Sequence, residues 1–183
     1  MVDQLINLVK ENAGDVINNN PEIPADKKEQ AAEVTGTSIA SGLQDMLAKG
    51  GVKDVMKLFA GGDAAVSSSP VTQHVNESVT TNLASKLGLS TGQAGGIASA
   101  LIPSILGKLV NKTNDPNDKS FDLQDIFNQL SGGKTSGLNM GSLLSKFKGG
   151  LDKDADGDVD LDDLKSLFGG GGGIMDKVKG MFN

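Results

Sequence analysis

Residues 90–110 read Ser-Thr-Gly-Gln-Ala-Gly-Gly-Ile-Ala-Ser-Ala-Leu-Ile-Pro-Ser-Ile-Leu-Gly-Lys-Leu-Val. Ala94, Ile97, Ile102, Leu106, Leu109 and Val110 recur at spacings that gather them on one face of a helix. Ser90 and Gln93 stand three residues apart just before that run, the spacing of a capping box in which each side chain serves the other residue's backbone N–H. The same design stands earlier in the chain. Asp26 and Glu29 have capping-box spacing, and Ala31, Val34, Ile39, Leu43, Met46 and Leu47 follow, each 63 residues before its counterpart in the later run.

Shorter amphipathic runs precede both long ones, with Leu5, Ile6 and Val9 in the first half and Val75, Val79 and Leu83 in the second. Both halves then close alike: Asp54-Val55-Met56 leads to Gly61-Gly62, and Asp125-Ile126-Phe127 leads to Gly132-Gly133. Ser69-Pro70 is a further helix start, because proline at the first helical position loses no hydrogen bond. Pro103 lies inside the most apolar run and predicts a kink or break. The expected fold is all-α: a compact multi-helix domain over 1–133 built from two related three-helix units, 1–62 and 69–133.

Composition narrows the function classes. With 3% aromatic residues and neither Trp nor Tyr, the core must come from aliphatic side chains, Met and six Phe. Absence of cysteine removes disulfides, thiolate nucleophiles and zinc–thiolate sites. His74 is the one histidine, and no acid–base constellation accompanies it, so no enzymatic activity is expected. The N-terminal segment lacks the basic start and apolar stretch of a signal peptide, and no later run reads as a membrane span. A cytoplasmic location is the default expectation, with export left open.

The net charge of −6 is concentrated: residues 152–163 hold seven Asp and one Lys, so the rest of the chain is neutral overall. No basic patch interleaved with aromatics is present, which disfavours nucleic acid as a partner. Beyond Gly133 the composition shifts to Gly, Ser and Lys. Residues 134–168 read as a Gly-rich connector with a short amphipathic piece, Leu138 to Phe147, and the acidic segment, and 169–183 as a flexible glycine linker with an amphipathic tail.

The acidic segment runs Asp152-Lys153-Asp154-Ala155-Asp156-Gly157-Asp158-Val159-Asp160-Leu161-Asp162-Asp163. Set on the twelve-residue loop of an EF-hand, Asp152, Asp154 and Asp156 supply hard carboxylate oxygens at positions 1, 3 and 5. Gly157 permits the sharp turn, Asp158 offers its backbone carbonyl, Asp160 acts through water, and Asp163 reaches back from position 12. Leu161, Leu164, Leu167 and Phe168 then form the stripe of an exiting helix. Position 12 is Asp where Glu is usual, so its shorter arm lowers calcium affinity and weakens selectivity against magnesium. Gly149-Gly150 interrupts the entering helix, which favours a simple ordering site over an opening switch.

The duplicated apolar helices, the Gly-Gly ends and the stretch Lys112-Thr113-Asn114-Asp115-Pro116-Asn117-Asp118 leading to Phe121-Asp122-Leu123 make residues 1–133 similar to the YidB-like bacterial proteins of unknown function. The resemblance implies a helical fold, with the calcium loop as a C-terminal addition, and no reaction.

The sequence thus predicts a calcium-binding, non-enzymatic protein in which the metal orders the C-terminal region for a protein partner or for self-assembly through apolar helix faces. Two other readings compete with it. One is a structural interaction module whose loop only stabilises the fold. The other is peripheral membrane binding through Ile174, Met175, Val178, Met181 and Phe182 beside Lys177 and Lys179, which so short a segment disfavours.

Overall fold

Serine, proline and glycine set several of the helix boundaries in the computed structural model, which describes residues 1–148. Among the described residues seven α-helices follow one another: α1 Val2–Asn12, α2 Lys28–Ala48, α3 Val52–Ser68, α4 Pro70–Leu87, α5 Thr91–Asn114, α6 Leu123–Leu130 and α7 Met140–Lys148. A π-helical turn at Gly14–Asn18 and a 3-10 turn at Ala25–Lys27 join α1 to α2. The described residues contain no strand, so this part of the fold is all-α as expected.

The two starts read from Ser69-Pro70 and Ser90-Gln93 form as anticipated. Ser69 Oγ accepts from the Val71 amide at 3.1 Å with Pro70 at the first helical position. Ser90 Oγ accepts from the Gln93 amide at 3.3 Å, and Gln93 Oε1 accepts from the Ser90 amide at 3.0 Å, closing the capping box. Gly88, at φ 73°, takes the left-handed position that ends α4.

Asp26 and Glu29 form no such box. The 3-10 turn carries the chain past Asp26, Lys27 occupies the cap position without a side-chain capping bond, and Glu29 instead accepts from Lys10 of α1 at 2.9 Å. The paired Gly-Gly ends also separate: Gly132 and Gly133 adopt φ values of 65° and 83° beyond α6, whereas Gly61 and Gly62 lie within α3. Glycine permits the left-handed turn that ends a helix and does not require it, so α3 continues through its pair, with Phe59 and Val66 buried on either side.

α2 and α4 make the most extensive helix pair, α5 also packs on α4, and α1 packs on α2. α3 lies against α5 and α4, and α7 packs on α3 and α6. The α1–α2 and α2–α4 crossings are close because glycine removes a side chain at each. A Cβ on Gly36 would sit 2.8 Å from Ile6 Cα, and one on Gly42 would sit 3.1 Å from Val75 Cγ2.

All twelve apolar positions of the two 63-residue-spaced runs face the core, with Met46 half-buried and the other eleven buried. Each fully buried Leu, Ile or Phe contributes about 1.5–3 kcal/mol of transfer free energy. Phe59 of α3 and Phe127 of α6, both fully buried, meet with ring centroids 6.1 Å apart and tilted by 58°.

Pro103 does not break α5, which runs unbroken from Thr91 to Asn114. Proline at 103 deprives the Ser99 carbonyl of its helical donor, and Ser99 is exposed, where water can satisfy that oxygen. α5 is also long and apolar enough, by length and composition, to cross a bilayer, contrary to the sequence expectation. In this bundle 56% of its most apolar stretch is buried by other helices, as befits a core helix.

Candidate functional site

The expected calcium ligands Asp152, Asp154, Asp156, Asp158, Asp160 and Asp163 lie outside the described residues, as do the glycine linker and the amphipathic tail. Among the described residues no group of three or more His, Asp or Glu side chains is placed to hold a metal ion. The described chain ends with α7, four positions before Asp152 in the sequence.

A dense polar network holds α7 to the bundle. Thr135, buried in the turn between α6 and α7, is bonded through its hydroxyl to Asn128 Oδ1 at 2.9 Å and Ser131 Oγ at 3.1 Å. Gln124 donates to the Thr135 carbonyl at 3.2 Å and accepts from the Met140 amide, the first of α7, at 3.0 Å. Met140 and Leu144 are buried, so the helix that leads toward the acidic segment is fixed by both packing and hydrogen bonds. The short amphipathic piece Leu138 to Phe147, expected within the 134–168 connector, corresponds to α7. Gln124, Asn128, Ser131 and Thr135, polar residues scattered on either side of Gly132-Gly133, carried no motif of their own.

The stretch 112–123, which carried the family resemblance, folds into a clasp. Asp118 accepts from the Lys112 ammonium at 2.8 Å and from both the amide and the hydroxyl of Ser120. These donors, Lys112 first, hold the Asp118 carboxyl well below the usual carboxylate range, and the same contact raises Lys112. Asp122 Oδ1 then caps α6 by accepting from the Asp125 amide at 3.1 Å. These polar groups of the clasp are occupied with holding the turn.

Two surface grooves flank α5. One, of about 440 Å³, lies toward α4 and is lined by Gln73, Asn76, Glu77, Thr80, Thr81 and Ser99. Asn76 donates to Ser99 Oγ at 3.3 Å while its Oδ1 is buried without a partner. Glu77 is its one ionisable lining residue, which alone provides no acid–base pair. The other groove, also about 440 Å³, lies between α5 and the segment carrying Val16, Asn20 and Glu22, with Gly92, Gly96 and Ala100 on its α5 side. Neither groove was read from the sequence, because polar and small residues on helix surfaces carry no periodic signal of their own. His74 of α4 is half-buried and contributes to neither; its Nε2 has no hydrogen-bond partner.

No curated protein and no solved structure matches the chain. A family model described as a bacterial protein of unknown function (DUF937) matches residues 70–181. It begins at the first residue of α4 and takes in α5, α6, α7 and the acidic segment, so it shares only residues 70–133 with the resemblance drawn over 1–133. Because that match covers well over half of its 183 residues, the chain belongs to the DUF937 family of bacterial proteins of unknown function.

Proposed function

We propose that this protein is a non-catalytic, calcium-binding helical module in which residues 152–163 hold one divalent ion and thereby order the C-terminal region for a protein partner or a second copy. The carrying observation is the ligand spacing itself. Carboxylates stand at loop positions 1, 3, 5, 9 and 12, with Gly157 at 6 and Val159 at 8, a combination that an acidic surface turn has no reason to produce. Seven Asp in twelve residues repel one another, and a bound cation relieves that repulsion, so binding couples directly to ordering. Support comes from α7, whose anchorage by Gln124, Thr135, Met140 and Leu144 provides a fixed base close in sequence to the loop. The loop's inclusion within the family match adds to this. Magnesium is the competing ion.

The two three-helix units are read as a duplication. That reading is supported by the burial of both runs at the 63-residue offset and weakened by the unlike roles of the two Gly-Gly pairs.

Calorimetric titration of the metal-free chain with calcium, with magnesium present, tests the proposal. One bound calcium, lost when Asp152→Ala and Asp156→Ala are combined, is the expected result; no heat of binding in the unaltered chain sinks it. Oligomeric state with and without calcium then separates ordering for assembly from plain stabilisation, because only the former changes it.

A further inference from the structure

We propose that the lysine-rich region formed by α3 and α7 is the resting dock of this chain's own acidic segment, residues 152–163, and that a cation bound to the segment releases it. Charge is segregated among the described residues. Residues 49–68, the turn into α3 and α3 itself, hold Lys49, Lys53 and Lys57 against Asp54 and Asp63. Residues 131–148, the turn into α7 and α7 itself, hold Lys134, Lys146 and Lys148 and no acid. Together these two stretches carry +4, whereas the remaining described residues, 1–48 and 69–130, carry −6. α7 packs on α3, so the fold brings the two basic stretches together. Lys49, Lys57 and Lys134 are exposed and Lys53 is half-buried. Gly51, the residue before α3, has no side chain to cap the helix, and carboxylates are favoured beside the first-turn N–H groups at the positive end of a helix dipole.

Charge and reach together fix the occupant. Residues 152–163 carry −6, so the rest of the described chain repels them and this one region attracts them. Asp152 follows Lys148, the last residue of α7, by four positions, which span at most about 14 Å. The twelve residues reach about 40 Å when extended, against roughly 25 Å for the length of α3. So short a tether holds the carboxylates beside the lysines at high effective concentration, and ion pairs that are weak one by one then act together. No particular fold of the segment is required. A bound divalent ion cuts the charge of the segment from −6 to −4 and turns its carboxylates toward itself, so docking and ion binding compete. The docking stands apart from the calcium reading above, on which the release rests.

A zero-length carbodiimide cross-linker joins a lysine to a carboxylate only where the two touch. Applied to the full chain in chelator at low ionic strength, it should link residues 152–163 to Lys49, Lys53 or Lys57 within single chains, as read by mass spectrometry. These links should be several-fold more frequent than links to Lys86, Lys108 or Lys119, which are also exposed. Raising the salt to about 0.5 M, which screens charges beyond a few ångströms, should remove the preference. Three results would overturn the docking: links spread evenly over all six lysines; a preference that survives the salt; or links found only in cross-linked dimers, which would assign the segment to a second copy. Release is read by lysine acetylation with acetic anhydride. Adding calcium should raise the reactivity of Lys49, Lys53 and Lys57 several-fold relative to Lys86 and Lys108, and unchanged reactivity in a chain that titration shows to bind calcium refutes the release. Cross-links present in a chain that binds no calcium would remove the calcium reading, and the release with it, while upholding the docking.

Discussion

Replacing glycine by alanine should act in opposite directions at two helical positions of this bundle. In a helix the exchange gains about 1 kcal/mol from backbone entropy and propensity. At Gly95 of α5 the new Cβ would lie 3.8 Å from the Thr80 methyl, an ordinary contact, so most of that gain survives and Gly95→Ala should stabilise by about 0.5–1 kcal/mol. At Gly36 of α2 the new Cβ would lie 2.8 Å from Ile6 Cα and 2.9 Å from Ile6 N, atoms of the α1 backbone that no rotamer change can move. Relieving that overlap requires α1 to shift off α2, and overpacking of this kind costs about 1–3 kcal/mol. Gly36→Ala should therefore be neutral to destabilising by about 2 kcal/mol, and the two variants should differ by about 1–3 kcal/mol. Urea unfolding followed by far-UV circular dichroism, with an unchanged slope as the condition for comparison, reads both values. Equal stabilisation at both positions would refute the close α1–α2 crossing from which the difference is worked.

Three further outcomes follow from named contacts. Ser90→Ala should cost about 1 kcal/mol through loss of the capping box, whereas Asp26→Ala, whose side chain caps nothing, should stay within about 0.5 kcal/mol; comparable urea midpoint shifts would contradict this. Phe127→Ala should cost about 3–5 kcal/mol, and a double-mutant cycle with Phe59→Ala should return a coupling of about 0.5–1.5 kcal/mol if the tilted ring pair forms. Asp118 titrates lower in the folded chain than in the unfolded one. Its clasp therefore stabilises fully above the ordinary carboxylate value near 4, and that stabilisation fades as pH falls below it. Asp118→Asn should accordingly separate from the parent at neutral pH and converge on it in acid; a gap that persists unchanged through acid unfolding would exclude the ionised clasp.

Much of the bundle was legible because burial and periodicity coincide. Ala94 to Val110 and Ala31 to Leu47 read as buried faces, and they are. Capping was legible only where the residue's sole nearby partner was its own helix start. Ser90 had no competitor, but Glu29 found Lys10 across the α1–α2 interface, and a 3-10 turn displaced Asp26 from the cap. The glycine pairs show the same limit from the other side. Gly132-Gly133 turns the chain, while Gly61-Gly62 continues a helix held by Phe59 and Val66 in the core. The proposed calcium loop lies outside the described residues and rests on spacing alone, which can be read from sequence because its candidate ligands are local and the motif requires only a turn and alternating oxygens.

By itself, then, the sequence determined the helical class, the two principal core faces and the serine caps. All of these depend on residues within a few turns of one another. Only the tertiary structure decided that α2 pairs with α4, that Gly36 and Gly42 serve helix crossings, and that Gln124, Asn128 and Thr135 fasten α7. It also decided that one strip of small residues on α5 faces outward. These features join residues distant in sequence, and a side chain's local spacing carries no information about which other helix will arrive against it.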